Sequence, residues 1–455
     1  MDVVVTPGGT LEGSLSVPGD KSIAHRWLIL AATGAGPSRL AGLPLSLDVR
    51  STAACLAAVT DKARPSLDVF ARNASPGVER GGSTWNEGSS GSFDRTLEVE
   101  GQGRSGLVAP EKTLDCGNSG TSMRLLSGVL ASAPFEAVLA GDESLSERPM
   151  ERVAEPLRAM GASIETRDGH APLVVRGARL RGRRHVPTVP SAQVKSAILL
   201  AGVAADGETT VAESVPTRDH TERSLAALGA PVILDDAGIH LRRYQHDGFD
   251  ARVPGDVSSA AFVIAAAAVT GSCISIEGVG LNPTRLHFLE VMDRMGVRTT
   301  CRTERTELGE PVGSITVEAG TAIRSVRVEP DELPLIIDEV PVLAALATHA
   351  SSDSWFLEAA ELRVKESDRL HAIATGVRHL GGVAADEGVD LVIGGGGLDG
   401  GRAHAHGDHR MAMGLIVAAL GGRGPSRIDG AEAADVSFPG FVETMSALGA
   451  TLEVV

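Results

Sequence analysis

The stretch VPGDKSIAHRWLILAA, residues 17–32, joins a turn to an apolar helix and guides our interpretation of the whole chain. A proline and a glycine favour the turn, and Asp20 or Ser22 can cap the helix. The free N–H groups and positive dipole end of a first helical turn attract anions. Because Lys21, Ser22 and Arg26 stand there, the stretch predicts a phosphate or carboxylate site. A solvated helix start with two surface cations is the alternative.

The same plan of a polar turn followed by a small, apolar helix occurs six times along the chain. Helices this rich in Ala, Leu and Val are apolar on nearly all sides, which predicts that they are buried. If their polar first turns point to one place, that place binds a strongly anionic ligand. The stretches are residues 17–32, 116–131, 189–204, 253–266, 337–347 and 406–420.

Length and composition predict a globular protein of two or three domains, with 455 residues and 43% hydrophobic content. The four cysteines have no metal-ligand spacing and are too few for a disulfide scaffold, which fits the cytoplasm. The N-terminal sequence lacks the pattern of a signal peptide. The longest apolar run has about ten residues, which is too short to span a membrane.

The formal net charge is −16, so the chain should repel nucleic acids and acidic membranes at long range. An anionic substrate would therefore need a local cluster of cations. The candidate cations, each beside a predicted helix start, are Lys21, Arg26, Arg124, Arg148, Lys195, Arg218, Lys365, Arg369 and Arg410.

Strands and helices alternate through both halves of the chain, and the VPGD repeat at residue 253 marks the start of the second half. About three strand–helix units per half predict an α/β protein of two similar domains with a cleft between them. Residues 1–16 are typical of a strand or hairpin. Residues 70–95, rich in Gly, Ser and Asn, are interpreted as an exposed loop or insertion.

One further stretch carries charge where a strand is expected to lead into a helix. LRVKESDRL, residues 362–370, puts Lys365 and Glu366 at that junction and Arg369 one turn into the helix, on the side of Lys365.

Nine short motifs follow one another in a fixed order. They are PGDKSIAHR (18–26), GNSGTSMR (117–124), SERPM (146–150), PSAQVKSA (190–197), TRDHTE (217–222), IDEVP (337–341), LRVKESDRL (362–370), GDHRMAM (407–413) and SFPGF (437–441). In this order and spacing they resemble the EPSP synthase (3-phosphoshikimate 1-carboxyvinyltransferase) family of enolpyruvyl transferases. The resemblance covers nearly the whole chain, with the loop at 70–95 as an insertion.

The resemblance implies a fold of two domains, each made of three βαβαββ units and described as an inside-out α/β barrel. Helix N-termini would point into the cleft between the domains. Residues 1–19 and 253–455 would form one domain and residues 20–252 the other. The crossing of the chain between domains comes from the resemblance alone.

The reaction that the resemblance implies is transfer of the enolpyruvyl group of phosphoenolpyruvate to the 5-hydroxyl of shikimate 3-phosphate, with release of phosphate. It implies no metal and no cofactor. We also expect a cytoplasmic monomer whose partners are these small molecules, without nucleic acid or membrane.

The resemblance also assigns roles to single residues. The residues implied to bind shikimate 3-phosphate are Lys21, Ser22, Arg26, Ser191, Ala192, Gln193, Arg218 and Lys365. Those implied to bind phosphoenolpyruvate are Lys21, Gly120, Arg148, Arg369 and Arg410. Asp338 is implied to be the base for the attacking hydroxyl, Glu366 the proton carrier at the methylene, and Lys21 its partner acid. From the residues alone, Asp338 could equally be a helix cap and Glu366 a surface carboxylate.

Two positions affect the expected binding of phosphoenolpyruvate and of its competitor glyphosate, and the first departs from the family pattern. Many members carry a Lys where this chain has Val436, so one cation is missing or supplied elsewhere. Glyphosate-tolerant relatives tend to carry Ala at the position of Gly120, and the glycine here predicts inhibition. His409 could orient Arg410 or be structural.

Two other functions stay open at this point. UDP-N-acetylglucosamine enolpyruvyl transferase shares the fold and reaction type, but it has Asn where this chain has Ser22 and uses a loop cysteine as acid. Cys116 lies in a strand-end turn instead. A non-catalytic anion-binding relative would be expected to have lost Asp338, Glu366 or Lys21, and all three are present.

Overall fold

The computed structural model describes residues 1–72, 96–318, 320 and 322–455, so most of the predicted loop at 70–95 lies outside the described residues. The chain forms two compact units. The terminal unit is Met1–Pro18, Pro254–Arg305 and Pro311–Val455. The inserted unit is Gly19–Val253 together with Thr306–Glu310, a short segment that the sequence prediction gives to the other domain.

The strands lie in short stretches along both units. They are β1 (Val3–Thr6), β2 (Glu12–Ser16), β3 (Ala35–Ala41), β4 (Thr96–Gln102), β5 (Leu114–Asp115), β6 (Glu136–Ala140), β7 (Ser163–Arg167), β8 (His170–Arg176), β9 (Arg184–His185), β10 (Glu208–Val211), β11 (Ile233–Asp235), β12 (Gly238–Arg242), β13 (Asp250–Arg252), β14 (Cys273–Gly280), β15 (Thr299–Glu307), β16 (Glu310–Val317), β17 (Arg327–Val328), β18 (Ser354–Phe356), β19 (Ala384–Glu387), β20 (Asp390–Ile393), β21 (Gly401–His404), β22 (Ser426–Asp429) and β23 (Thr451–Val454).

The helices alternate with these strands. They are α1 (Lys21–Thr33), α2 (Leu47–Ala58), α3 (Arg64–Arg72), α4 (Gly120–Leu130), α5 (Glu143–Ser146), α6 (Glu151–Met160), α7 (Ala192–Gly202), α8 (His220–Ala227), α9 (Val257–Val269), α10 (His287–Arg294), α11 (Leu333–Ile336), α12 (Val340–Ala347), α13 (Arg369–His379), α14 (His409–Leu420) and α15 (Phe441–Ala447). Short 3₁₀ helices span Arg104–Gly106, Pro283–Arg285, Ala359–Val364 and Ala431–Val436.

Small mixed sheets repeat one pattern. In the sheet β11-β12-β10-β9, β9 is parallel to β10, while β12 is antiparallel to both β10 and β11. This is the pairing of a βαβαββ unit, because a parallel pair needs a crossover helix and an antiparallel pair only a turn. The other sheets are β13-β3-β4, β5-β6-β8-β7, β15-β16-β14-β2, β17-β18-β20-β19 and β21-β22-β1-β23.

This repetition confirms the predicted α/β class built from βαβαββ units. Each unit holds three of the sheets, apart from the tip of the β15–β16 hairpin, which groups with the inserted unit. None of the sheets formed by the described strands closes into a barrel of its own.

Three apolar helices lie at the centre of each unit. In the inserted unit α1 and α7 both pack on α4, and in the terminal unit α9, α12 and α14 pack on one another. Every residue of α12 and α14 is buried, as the sequence predicts for helices that are apolar all round. Each unit therefore has its own hydrophobic core around a helix triplet.

Residues 1–16 form strands, as one alternative predicted, but they do not form the hairpin that was the other. β1 pairs with β22 and β23, which are the last part of the chain, and β2 pairs with β14. Residues 1–16 are therefore two strands in different sheets and not a hairpin. A hairpin is a local signal, whereas these partners are distant in sequence, and only the fold selects them.

Candidate active site

The central helices bring most predicted site residues to their first turns. Lys21 and Ser22 begin α1, Gly120 begins α4, Ser191 caps α7, and Arg410 is the second residue of α14. Arg26 lies in the second turn of α1, Ala192 and Gln193 begin α7, and Arg369 begins α13. The remaining predicted site residues lie in loops. First-turn N–H groups and added cations together favour anions, so each unit presents a set of anion-binding positions.

In the inserted unit, Lys21 pairs with a carboxylate that the sequence analysis did not single out. Lys21 Nζ lies 2.8 Å from Asp48 Oδ2, and both side chains are mostly buried. The backbone oxygen of Asp48 accepts from Ser122 Oγ of α4 at 3.3 Å. Asp48 therefore links the start of α1 to the start of α4.

Arg26 is buried and holds α1 to two other helices. Its Nε donates to Thr221 Oγ1 at 2.9 Å and its Nη2 to Ser196 Oγ at 2.8 Å, while Nη1 donates to the Ser22 carbonyl at 2.7 Å. The pKa of Arg26 is lowered to about 10, chiefly by burial, which outweighs the opposing charges of Glu222 and Asp20. The hydrogen-bond partners of Arg26 are all neutral.

A second group surrounds Gly120. Gln193 Nε2 donates to Thr121 Oγ1 at 2.8 Å, and Gln193 Oε1 accepts from Arg124 Nη1 at 2.6 Å. A Cβ added to Gly120 would lie 3.1 Å from Arg124 Nη1 and 3.5 Å from Arg148 Nη1. The glycine therefore leaves two guanidinium groups accessible from the start of α4.

Arg148 lies between α5 and α6. Its Nη2 donates to Asn118 Oδ1 at 2.5 Å and to Ser144 Oγ at 3.3 Å. Its Nε is buried and has no hydrogen-bond partner among the described residues. The guanidinium is thus anchored on one side by neutral groups and keeps donor capacity on the other.

Ser191, Ala192 and Arg218 lie at partly exposed positions, as a ligand site requires. Ser191 Oγ accepts from the backbone N–H of Val194 at 3.4 Å, so this hydroxyl caps α7. Arg218 lies in the loop before α8.

Lys195 was a candidate cation for substrate, and the structure gives it a different environment. Its Nζ lies 2.7 Å from Glu213 Oε2 and 2.8 Å from Glu222 Oε1, and the side chain is 1% exposed. Burial raises the pKa of Glu222, and Lys195 opposes that rise. Two carboxylates neutralise this lysine, so it stabilises the inserted unit and is not accessible to an anion.

In the terminal unit, Arg369 is the most enclosed cation. Its Nε lies 2.8 Å from Asp408 Oδ2 and its Nη2 2.7 Å from Glu366 Oε2, with 1% of the side chain exposed. Burial alone would lower the pKa of Arg369, but Asp408 and Glu366 outweigh it and raise the pKa. Arg369 begins α13 after the cap Asp368, so the prediction that it lies one turn into the helix is wrong.

Asp338 has three cations around it. Its Oδ1 is 3.6 Å from Arg369 Nη1 and 3.9 Å from Lys365 Nζ, and its Oδ2 is 4.0 Å from Arg410 Nη2. Its backbone oxygen accepts from Arg410 Nη1 at 2.7 Å. Asp338, Lys365, Arg369, Arg410 and Glu366 therefore form one cluster, although they come from three separate segments.

Lys365 has an altered proton affinity in this cluster. Burial lowers its pKa, the charge of Arg369 lowers it further, and Asp338 opposes both. Glu366, next in sequence, is 28% exposed and can exchange protons with a ligand.

Three carboxylates that sequence reasoning did not select hold the predicted cations. They are Asp48, Glu339 and Asp408. Asp408 accepts from Arg369, from Ser367 Oγ at 3.0 Å and from the Arg410 backbone N–H at 2.9 Å. A signal for it was present, because Asp408 precedes an apolar helix as a capping residue would.

Two further positions named in the sequence analysis are Val436 and His409. Val436 ends a 3₁₀ helix and is half-buried. His409 is buried with its Nδ1 4.0 Å from Asp408 Oδ1.

In the part of the chain that the structure describes, no three His, Cys, Asp or Glu side chains are grouped to hold a metal ion. None of the described helices is long and apolar enough to cross a membrane.

Comparison with known proteins identifies the family. The sequence matches the family described as EPSP synthase (3-phosphoshikimate 1-carboxyvinyltransferase) over residues 5–71 and 90–445. A 3-phosphoshikimate 1-carboxyvinyltransferase from Halorhodospira halophila is 44% identical, over 99% of this chain and 96% of that protein. This chain belongs to the EPSP synthase family.

Solved structures agree with this assignment. An EPSP synthase from Acinetobacter baumannii matches with a TM-score of 0.83 at 37% identity, covering 100% of this chain and 99% of that one. The enolpyruvyl transferase NikO from Streptomyces tendae matches with a TM-score of 0.74 at 19% identity, covering 99% of this chain and 98% of its own. The second likeness, at 19% identity, is a likeness of fold.

Proposed function

We propose that this chain transfers the enolpyruvyl group of phosphoenolpyruvate to the 5-hydroxyl of shikimate 3-phosphate. The observation that carries the proposal is the cluster of Asp338 and Glu366 among Lys365, Arg369 and Arg410, in a chain of the EPSP synthase family. Cations that bind two anionic substrates and carboxylates that move protons are what this reaction needs.

The proposed reaction has two steps, an addition and an elimination. The 5-oxygen forms a bond to C2 of phosphoenolpyruvate, its proton goes to a base, and C3 gains a proton. The bond from C2 to the phosphate oxygen then breaks, C3 loses a proton, and phosphate leaves. Asp338 is the proposed base for the hydroxyl, and Glu366 carries protons at C3 with Lys21 as partner acid. The proposed steps use no cofactor.

The inserted unit supplies the proposed contacts to shikimate 3-phosphate. Arg26 and Arg218 are close enough for their charges to interact, so two guanidinium groups of this unit lie near each other. The proposed ligands are Lys21, Ser22, Arg26, Ser191, Ala192, Gln193 and Arg218, with Lys365 of the terminal unit.

Phosphoenolpyruvate is proposed to bind to arginines that keep free donors. Arg148 has an unpartnered Nε among the described residues, and Arg410 uses its Nη1 alone for hydrogen bonds to them. Arg369 contributes charge, and Gly120 allows close approach. A carboxylate or phosphate can take two parallel N–H bonds from such a guanidinium.

Transfer to UDP-N-acetylglucosamine is the nearest alternative. Cys116, which follows a strand end and does not lie in a loop of the kind that carries a cysteine acid, is 0% exposed. A hydrogen bond with Cys55 and burial raise the pKa of Cys116. A buried thiol with a raised pKa is a poor contact for substrate, which favours shikimate 3-phosphate.

A phosphate-release assay tests the proposal. Protein with phosphoenolpyruvate is given shikimate 3-phosphate, UDP-N-acetylglucosamine or no acceptor, and products are identified by mass spectrometry. We expect phosphate to be released only when shikimate 3-phosphate is the acceptor, and the enolpyruvyl ether of shikimate 3-phosphate to form in the same reaction. Release with the nucleotide sugar contradicts the acceptor assignment. Binding without release identifies a non-catalytic relative.

The proposal includes a monomer in the cytoplasm. The cysteines Cys55, Cys116, Cys273 and Cys301 are all unpaired, which fits a reducing compartment. Size-exclusion chromatography with light scattering tests the monomer, since a mass of 46.9 kDa is expected. Twice that mass contradicts it.

A further inference from the structure

Glu339, which follows the proposed base Asp338, is a buried carboxylate with no role in the reaction described above. It is 1% exposed. It is the N-cap residue of α12, yet its side chain makes no capping hydrogen bond. The other five central helices are each capped by a side chain. Those caps are Asp20, Ser119, Ser191, Asp256 and Asp408.

The carboxylate of Glu339 instead lies between two cationic side chains. Its Oε1 accepts from Ser258 Oγ, which itself accepts from Arg285 Nη2 at 2.6 Å. On the other side, Arg410 Nη1 is 3.9 Å from the same Oε1. A buried carboxylate between donors keeps their positive groups in place, because in a poorly solvated site no water replaces the lost interaction.

Arg410 is thereby fixed along one edge. Its Nη1 donates to the Asp338 carbonyl and faces Glu339. Arg410 Nε and Nη2 donate no hydrogen bond to the described residues, and Nη2 is 4.0 Å from Asp338 Oδ2. A planar guanidinium held at one nitrogen presents its opposite edge in a defined direction.

We propose that Glu339 is a positioning residue for phosphoenolpyruvate, which fixes the guanidinium plane of Arg410 so that Nε and Nη2 face the substrate carboxylate. This inference rests on the proposed function. Glu339 acts only through Arg410, so it sets affinity for phosphoenolpyruvate and leaves the contacts of the inserted unit to shikimate 3-phosphate unchanged.

The variant Glu339→Gln tests this, because it keeps the size of the side chain and removes its charge. We expect KM for phosphoenolpyruvate to rise about tenfold, equal to the loss of roughly 1.4 kcal/mol. kcat should stay within about threefold, and KM for shikimate 3-phosphate should not change. Glu339→Asp, which restores the charge at shorter reach, should recover part of the KM.

Glu332→Gln is the matched control. Glu332 is another glutamate of the terminal unit, but it is only partly buried and pairs with His287 and Arg294. Its kinetic constants should equal those of wild type. A general loss of packing would lower thermal stability and raise both KM values, which distinguishes it from positioning.

Ser258→Ala is a second variant, which tests the same proposal if Glu339→Gln does not fold. It removes the hydroxyl that orients Glu339, so we expect a smaller rise in the same KM. An unchanged or lower KM for phosphoenolpyruvate in the folded variants overturns the inference. Inactivity of wild type would instead contradict the proposed function.

Discussion

The arginines of the two units differ in the groups that hold them. In the inserted unit, Arg26 and Arg148 donate to hydroxyls, an amide oxygen and a carbonyl. In the terminal unit, Arg369 lies against Asp408 and Glu366, and Arg410 lies near Asp338 and Glu339. Neutral partners orient a guanidinium without cancelling its charge, whereas carboxylates orient it and balance its charge.

This difference indicates a division of work. Arginines whose hydrogen-bond partners are neutral are suited to bind a phosphorylated substrate, because those partners do not cancel their charge. A site where cations alternate with carboxylates is suited to move protons, because acid and base lie side by side. We therefore expect changes at the arginines of the inserted unit that are proposed to bind shikimate 3-phosphate to affect mainly affinity for it. Changes at Asp338 and Glu366, the carboxylates of the terminal unit with proposed proton roles, should affect mainly turnover.

The largest effect is expected from the two carboxylates with proposed proton roles. Asp338→Asn and Glu366→Gln keep the shape of each side chain and remove a proton acceptor. Each should lower kcat by about two to four orders of magnitude, the range for lost acid–base catalysis. Steady-state phosphate release measures this, and KM for shikimate 3-phosphate should change little.

The control for these variants is Asp399→Asn. Asp399 is an exposed carboxylate of the same unit that pairs with Arg423 at 2.6 Å. It should keep wild-type turnover. Near-normal kcat in Asp338→Asn or Glu366→Gln would remove that residue from its role and end the division of work between the units.

The next effect concerns affinity in the inserted unit. Arg218→Gln removes one of two interacting guanidinium groups, so KM for shikimate 3-phosphate should rise about ten- to a hundredfold, the loss of roughly 1.4 to 2.8 kcal/mol. kcat should fall much less. Arg223→Gln is the control, because Asp219 already balances that charge at 2.8 Å. If Arg218→Gln lowers kcat by as large a factor as it raises KM, the proposed contrast between the inserted and the terminal unit is contradicted.

The sequence predicts the helix starts well, because their signals are local. Asp20 and Ser191 each precede a run of apolar residues, and both cap helices. The roles of single site residues came from the family resemblance. Asp338 shows why, since a carboxylate before a helix looks the same whether it caps the helix or acts as a base.

The partners of the cations were not predictable from local patterns. Lys21 and Asp48 are 27 residues apart, Arg369 and Asp408 are 39 apart, and Ser258 and Glu339 are 81 apart. Only the tertiary packing of separate helices and loops brings such pairs together. For the same reason Lys195 stands among the candidate cations of the sequence analysis, although Glu213 and Glu222 neutralise it.

A smaller effect is expected at Gly120, where the resemblance implies competition between glyphosate and phosphoenolpyruvate. A methyl group there would crowd Arg124 Nη1 at 3.1 Å. Gly120→Ala should raise the inhibition constant for glyphosate about tenfold and KM for phosphoenolpyruvate less, because the longer inhibitor needs more room. Wild type that is already as insensitive as the variant would point to the region of Val436 instead.

The smallest expected effect is on the pH profile, and it belongs to the terminal unit. Burial lowers the pKa of Lys365 from its ordinary value of 10.5. Its charge is therefore lost as pH rises through a value below that of an exposed lysine. kcat/KM for shikimate 3-phosphate should fall on the alkaline side below pH 10.5 by a few-fold. Lys365→Arg should move this limb to higher pH, because a guanidinium stays protonated.

Stability measurements distinguish this titration from alkaline unfolding. Between the lowered pKa and 10.5, the unfolded chain keeps a proton on Lys365 that the folded protein has lost. The contribution of this group to the free energy of unfolding therefore rises with pH in that window, while activity falls. Lys62→Arg is the control, because Lys62 is an exposed lysine of the inserted unit. It should leave the alkaline limb of the kcat/KM profile at the same pH. An alkaline limb that Lys365→Arg does not move would assign it to another group and weaken the contrast between the units.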